Sequence, residues 1–389
     1  MNRRKFLEQT TQLSVAAGAF VQNTETRATN HVRKSANEKI VIGVIGCNNM
    51  GNGIMNHALN QPNVECAAIC DIDTNIGNKR ADEVMRKQGK RPQLYGDFRK
   101  LLENKDIDAV IIATPDHWHC LPMVEACRAG KDVYVEKPLA NSIGECNVMV
   151  KAARRYNRVV QVGQQQRSGE HWQSAMQFIH SGGIGTLRKV HSWANFNYAI
   201  GSRIVPDEPV PSHIDFNQWL GPAPLRTYNR TRHHGSWRFF WDYGGGLMTD
   251  WGAPRLDIAR WAKNIKTPPL SVAASGGNFY SPDFAHEAFD TLSVMYQLPD
   301  YTISWEQTAG TQNGPFGRSY GLAFIGNDAT LVIDRGGWEL FPEIDKGVYK
   351  VPAIPKRSGK ETHEEHVKNW LECIRTRKET NCPIENGRL

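Results

Sequence analysis

Lys39-Ile-Val-Ile-Gly-Val-Ile-Gly46, then Gly46-Cys-Asn-Asn-Met-Gly51, then Val64-Glu-Cys-Ala-Ala-Ile-Cys70 with Asp71 behind it, decide how the first half of this chain folds. The order is apolar strand, glycine turn, helix, second apolar strand, acid. A dinucleotide-binding βαβ unit needs that order. Glycines let the backbone turn sharply and approach a pyrophosphate, the helix N-terminus offers N–H groups and a positive dipole, and the acid holds ribose hydroxyls. Gly46, Asn48, Asn49, Met50, Gly51 and Asp71 are therefore the expected cofactor contacts. Asn48 stands where a second glycine would approach the phosphates most closely, and Asn tolerates left-handed backbone angles better than most residues. Asp71 repels a 2′-phosphate, which favours NAD over NADP.

Outward from that unit, strand and helix signals alternate. Helical segments over 78–90, 98–104, 121–130 and 143–156 are interleaved with apolar strands over 108–113, 132–135 and 159–162. The alternation predicts an α/β fold, with a doubly wound parallel Rossmann sheet over residues 38–163. The character changes after Gly163. A helix over Glu170–His180 is followed by longer alternating runs at 187–195, 288–297, 301–308 and 322–333. These predict a C-terminal α+β domain over 164–389, with a large, mostly antiparallel open sheet carrying helices on one face. Val367, Trp370, Leu371 and Ile374 have helical spacing and predict a closing amphipathic helix.

The N-terminus reads differently. Asn2-Arg-Arg-Lys-Phe-Leu7 precedes a small, apolar stretch from Leu13 to Val21, too short and too polar to span a bilayer. It resembles a bacterial twin-arginine export signal, with residues 1–37 as signal and linker. The periplasm or cell envelope is the expected location, and a nucleotide cofactor would be loaded before export. None of the eight cysteines forms a C-x-x-C pair, so they read as small core residues of a chain that folds in a reducing compartment. Net charge is +7, and the first forty residues, with seven Lys/Arg and three Asp/Glu, supply more than half of it. No basic block remains, so nucleic acid is not an expected partner. No other apolar run is long enough for a membrane span.

Three further segments carry chemistry. Ile112-Ala-Thr114-Pro115-Asp-His-Trp-His119 follows one strand, Glu136-Lys137-Pro138 ends the next, and Asp242-Tyr243-Gly-Gly-Gly-Leu-Met-Thr-Asp250-Trp-Gly252 comes later, after Gln164-Gln-Gln-Arg-Ser168. Together they resemble the glucose-fructose oxidoreductase / inositol dehydrogenase / rhizopine-catabolism family, in its exported bacterial branch. That resemblance covers Glu38 to the C-terminus. It implies a Rossmann domain, a C-terminal α/β domain whose sheet mediates homo-oligomers, and NAD-dependent oxidation or reduction of sugars and cyclitols. It adds Thr114, Pro115, His119, Glu136 and Lys137 to the cofactor site and gives Asp250 as the carboxylate from the second domain.

The chemistry fits these residue types. Removing hydride from a carbinol carbon needs a group to take the hydroxyl proton. Lys137, at the end of a parallel strand, sits on the edge where cofactor clefts form, and its ammonium can steady a developing alkoxide. Relatives carry an acid/base histidine four residues after Asp250, where this chain has Pro254 and then Arg255. Proline disfavours helix at Ala253, so a helix is expected to begin or kink at Pro254. Asp250, Tyr243 or His233/His234 then replace the missing proton shuttle, or Lys137 works alone. Arg255 is a candidate contact to an acidic sugar. Trp237 and His233 are further substrate candidates, since sugar C–H faces stack on aromatic rings. The pairs His117/His119 and His233/His234 come without cysteines or carboxylates at ligand spacing, so no metal is expected.

The leading expectation is an NAD-dependent oxidoreductase that keeps its cofactor and acts on a sugar, glycoside or cyclitol. NAD-dependent glycoside cleavage on the same fold is the enzymatic alternative. A non-catalytic carbohydrate-binding protein is the other.

Overall fold

The computed structural model of the chain describes residues 38–198 and 201–388; the twin-arginine segment lies outside them. Six parallel strands form the first sheet: β1 (Ile40–Ile45), β2 (Val64–Cys70), β3 (Gln93–Tyr95), β4 (Ala109–Ile112), β5 (Asp132–Val135) and β6 (Val160–Val162). Their order is β3-β2-β1-β4-β5-β6, so the winding reverses between β1 and β4. A ligand crevice opens outside the strand ends at such a switch point. β1, β4 and β5 read as unbroken apolar runs because both faces are covered. Ile42, Val44, Ile111 and Tyr134 point into one layer, and Ile45, Val110, Ile112, Val133 and Val135 into the other.

Helices α1 (Asn49–Leu59) and α2 (Thr74–Gln88) clad the first face; α3 (Phe98–Leu102), α4 (Cys120–Arg128) and α5 (Ile143–Arg155) clad the second. Their ends follow local chemistry. The Asp73 carboxylate accepts from the N–H groups of Asn75 and Ile76 and starts α2, and Gly89, at φ +76°, ends it. At α5 Ser142 Oγ accepts from the Glu145 backbone N–H and donates to the Glu145 carboxylate.

After α6 (Glu170–His180) and α7 (Phe216–Leu220), α8 (Ala253–Trp261) leads into the second sheet. Its strands are β7 (Lys189–Ala194), β8 (Ser271–Gly277), β9 (Thr291–Gln297), β10 (Thr302–Thr308), β11 (Tyr320–Ile325), β12 (Ala329–Asp334) and β13 (Gly337–Pro342). A small hairpin, β14 (Ile344–Asp345) with β15 (Val348–Tyr349), precedes the last strand of the large sheet, β16 (Ile354–Ser358). The eight-stranded order is β16-β13-β12-β11-β7-β10-β9-β8. β7 and β10 pair in parallel and the other neighbours antiparallel. Val190, Ile303, Phe324, Leu331 and Leu340 lie side by side beneath α6 and α8. The opposite face carries Met295, Ser304, His191, Ala323 and Val332 in one cross-strand row.

Two expectations change. The 322–333 run is a hairpin that turns at Gly326, where a Cβ would collide with the Ile184 carbonyl. Ala253 is helical, at φ −51° and ψ −54°, with Pro254 in the second position of α8. A π-helical turn over Met248–Gly252 precedes it. The backbone is helical without a break from Leu247 into α8, so Pro254 lies inside a helical run, and the wider π turn just before it is where the ladder adjusts to the missing N–H.

The chain then returns to the first sheet. In α9 (His363–Thr376), Val367, Trp370, Leu371 and Ile374 pack beside α1. Cys382 and Ile384, the latter opening α10 (Ile384–Arg388), pack on the opposite face. Among the described residues no helix is long and apolar enough to cross a membrane.

Candidate active site

A cleft of about 320 Å³ opens at the switch point and is closed on its far side by the second domain. Its floor is the glycine turn. Gly46 has φ +79°, and a Cβ there would come within 2.9 Å of Ala113 and Thr114 backbone atoms. A Cβ on Gly51 would collide with the Gly46 carbonyl. Asn48 does not adopt the left-handed conformation expected of it: φ is −84° and ψ 166°. Asn49 takes the positive φ, +32°. The turn therefore needs no glycine at 48, and Asn48 lines the cleft with Asn49 and the half-exposed Met50.

The features a dinucleotide requires are present. No side chain caps α1 and no acid stands in its first turn, so its leading N–H groups are left for an anion. Asp71 ends β2 at the cleft. Its Oδ2 accepts from the Cys47 backbone N–H at 3.0 Å and its Oδ1 from the Asp73 N–H at 3.0 Å, which lock it against the turn. Thr114 Oγ1 is buried without a partner in the cleft wall. Pro115 lies beside it.

Lys137 leaves the end of β5 and crosses to the second domain. Its Nζ donates to Asp250 Oδ1 at 2.6 Å and to the Asp250 carbonyl at 2.7 Å. Asp250 sits on the π turn. Arg238 adds an ion pair at 3.4 Å without hydrogen-bond geometry. Burial alone would raise the Asp250 pKa, but the Lys137 and Arg238 charges more than offset it and hold the carboxyl below its ordinary range. Glu136 is buried, and its Oε2 accepts from the Lys137 backbone N–H at 3.2 Å. Desolvation pushes it up to about 7, against the lowering charge of Lys137.

Other predicted residues are placed differently. His119 borders the cleft, but its nitrogens face the Pro138 carbonyl at 2.7 Å and the Thr114 carbonyl at 2.8 Å. Burial pushes its pKa down to about 4; the neutral ring carries one N–H and donates to one of these two carbonyls, with its other nitrogen facing the second. Tyr243 is fully buried against His117 and Trp219, outside the cleft, and burial pushes its pKa up to about 12. It packs in the core and does not line the cleft.

Arg255 also misses the cleft. It donates to the Trp251 carbonyl at 2.9 Å and lies against both the Trp251 and Tyr320 rings. Burial pulls its pKa down to about 9, and the Arg335 charge adds to the effect. His233 packs against Trp219 and His234 away from the cleft. Its neighbour His234 lines the cleft instead, with Nε2 2.9 Å from Asp73 Oδ2. Trp237 does line it, under the Arg238 guanidinium, 4.5 Å from the ring centre.

Sequence reading missed Arg238 and Asp116. Asp116 lies within the Thr-Pro-Asp-His-Trp-His segment, and a carboxylate directly after a strand-end Thr-Pro turn was a usable signal. Arg238 gave none. Among the described residues no group of three or more metal-ligating side chains comes together.

A switch-point cleft with a glycine turn, an acid at the end of the second strand and a lysine at the strand end defines a dinucleotide-binding protein of the Rossmann class. Residues 40–164 match the model for an oxidoreductase family with an NAD-binding Rossmann fold, and residues 185–280 match that family's C-terminal alpha/beta domain. The chain belongs to this GFO_IDH_MocA oxidoreductase family. It is 23% identical over 354 residues to the uncharacterized oxidoreductase YrbE of Bacillus subtilis, spanning 90% of this chain and 91% of that one. A glycosyl hydrolase family 109 protein of Saccharopolyspora erythraea is 25% identical over 283 residues, 70% of this chain and 56% of the relative. Among solved structures, the aldose-aldose oxidoreductase of Caulobacter crescentus, complexed with glycerol, shares the fold at a TM-score of 0.67. Its identity is 20%, with 90% of this chain and 94% of the other covered. A levoglucosan dehydrogenase complexed with NADH and levoglucosan does so at 0.66 and 19%, over 90% and 94%.

Proposed function

We propose that this protein transfers hydride between NAD held in the cleft and a hydroxyl-bearing carbon of a sugar, glycoside or cyclitol. The observation that carries the reading is the Lys137–Asp250 pair, placed at the strand ends where the cleft opens. The bound dinucleotide supplies the hydride acceptor or donor. The Gly46–Gly51 turn and the first N–H groups of α1 hold its phosphates, Asp71 accepts from ribose hydroxyls, and Thr114 Oγ1 finds a partner. Asp250 aims the Lys137 ammonium, which hydrogen-bonds the reacting oxygen and steadies negative charge as it develops there. Trp237 offers a ring face to the sugar. The sugar named for the levoglucosan enzyme supports that substrate class.

The paired arginines of Asn2-Arg-Arg-Lys-Phe-Leu7 favour export by the twin-arginine route to the periplasm. Cofactor loaded before export is then retained and recycled as one sugar is oxidised and another reduced. On the far face of the large sheet Ser304, Ala323 and Val332 are already buried, and the exposed part, Met295 and most of β8, suits a second copy of the chain.

Purified protein should carry nicotinamide absorbance and fluorescence that change redox state when a panel of sugars and cyclitols is added. A preparation that binds no NAD, or whose bound NAD responds to none of them, overturns the reading. A second reading, redox-assisted glycoside cleavage, is favoured by the glycosyl hydrolase relatives. Release of an aglycone with no net change in NADH would select it.

A further inference from the structure

Pro254 stands where relatives carry a histidine, and it brings no acid/base group of its own. What it contributes is a missing donor. In an α-helix the N–H of each residue bonds the carbonyl four residues earlier. For residue 254 that carbonyl belongs to Asp250, and proline has no N–H to offer it. The backbone is helical from Leu247 through Ala253 into α8. The gap in the ladder therefore falls inside a helical run, at the residue that meets Lys137.

A donor from the other domain fills the gap. Lys137 Nζ donates to the Asp250 carbonyl at 2.7 Å, as well as to Asp250 Oδ1 at 2.6 Å. An N–H at 254 would draw that carbonyl along the helix axis into an α-type bond. Without it, in the wider π turn over Met248–Gly252, the carbonyl is available to a group outside the helix. A shielded carbonyl with no donor costs free energy comparable to a lost hydrogen bond, and the ammonium removes that cost. Arg238 does not take its place, because it pairs with Oδ1, at 3.4 Å and without hydrogen-bond geometry.

The second acceptor changes what the lysine can do. An ammonium has three N–H donors. One acceptor leaves it free to turn about the Cε–Nζ bond. Two acceptors on one residue stop that rotation, and tetrahedral geometry then sets the direction of the third donor, the one left for the reacting oxygen. Pro254 itself is buried in α8 and does not line the cleft, whereas Lys137 and Asp250 both do.

We propose that Pro254 is a positioning residue: by withholding a backbone N–H it frees the Asp250 carbonyl for Lys137, and so aims the ammonium at the reacting oxygen. The proposal rests on the hydride-transfer reading above. The position that relatives fill with a proton carrier here serves the lysine through the backbone.

Pro254→Ala supplies the N–H and replaces the ring by a methyl group. With a sugar that turns over, kcat should fall about 10- to 100-fold, the cost of a misaimed catalytic group, with KM near the parent value. The melting temperature should not fall, because alanine is the better helix former inside a helical run. Placing the α-hydroxy analogue of alanine at 254 makes an ester, with the same methyl group and no N–H, and this variant should turn over at the parent rate. A second readout needs neither sugar nor cofactor. In the full chain with isotope-labelled lysine side chains, the NMR signal of the ammonium that disappears in Lys137→Met should exchange slowly with water in the parent and the ester variant, and fast in Pro254→Ala. A Pro254→Ala protein that turns over at the parent rate overturns the proposal. So does an ester variant as slow as Pro254→Ala, or ammonium exchange that is equal in the parent and Pro254→Ala. Should the parent oxidise no sugar at all, the hydride-transfer reading falls, and ammonium exchange still decides whether the missing N–H frees the carbonyl for Lys137.

Discussion

Lys137 and Asp250 join the two domains across the cleft: the lysine Nζ reaches both Oδ1 and the carbonyl oxygen of one aspartate, at 2.6 and 2.7 Å. Two acceptors on one residue fix the ammonium in direction as well as distance. Both side chains are about 85% shielded from solvent, so the pair is not a surface ion pair of negligible worth.

Lys137→Met should therefore abolish hydride transfer to sugars, lowering kcat by at least about 100-fold. It should also destabilise the fold by less than the roughly 3–5 kcal/mol usual for an orphaned buried charge, because Arg238 still faces Asp250. Adding Asp250→Leu to Lys137→Met should recover stability in urea unfolding without recovering turnover.

Asp71→Ser removes a carboxylate that organises the turn and lines the cleft. NADH binding, followed by fluorescence, should weaken about 10- to 100-fold, the worth of charged hydrogen bonds, while NADPH binding improves. Gly51→Ala should lose NADH binding altogether, since backbone meets the new Cβ. No flexible side chain stands there to give way.

Two buried carboxyls should weaken their support of the fold between mildly acidic and mildly alkaline pH. Asp116 and Glu136 both have folded-state pKa values raised to about 7 from ordinary values of 3.8 and 4.5. A raised carboxyl stabilises the fold fully below its unfolded pKa, and that contribution is lost as pH rises through the folded value. Buried His117, His119, His233 and His366, lowered to about 4, act in the opposite sense below about pH 6.5. The carboxyl contribution is therefore read as a difference: the melting temperature of the parent minus that of the double variant Asp116→Asn, Glu136→Gln should fall from about pH 5 to pH 8.

Arg167 holds the helix behind Asp250. Its guanidinium meets Asp257 at 2.6 and 2.7 Å and covers the Trp261 ring at 4.9 Å. Arg167→Ala strands the buried Asp257 carboxylate and should cost about 3–5 kcal/mol in urea unfolding. Arg167→Lys should recover little of that, because an ammonium reproduces neither the fork nor the stacking.

The first domain was legible because strands covered on both faces leave continuous apolar runs, as at Ile40–Ile45 and Ala109–Ile112. β8, Ser-Val-Ala-Ala-Ser-Gly-Gly, is largely exposed at a sheet edge, and nothing in its composition distinguishes it from a loop. At the site, Lys137 could be named from its place at the end of a strand, and Asp250 through the family resemblance. Tyr243, His233 and Arg255 were chosen for chemical type alone. The π turn at Met248–Gly252 is a backbone event that no residue pattern announces, so the direction taken by Arg255 beyond it was not readable. His233 and His234 differ by one position, and only the left-handed backbone at His234, φ +57°, determines which of them meets the cleft.

The cladding of the first sheet has a consequence for how the protein is made. One layer is supplied by α1 and α2 together with α9, which begins at His363. A ribosome emits this chain from the other end. Throughout synthesis of the second domain the dinucleotide half is thus a sheet with one flank partly bare, and Tyr134 waits for Trp370 to arrive. Assembly of the nucleotide-binding half closes after that of the domain that follows it in the chain, which makes its completion a late event in biogenesis.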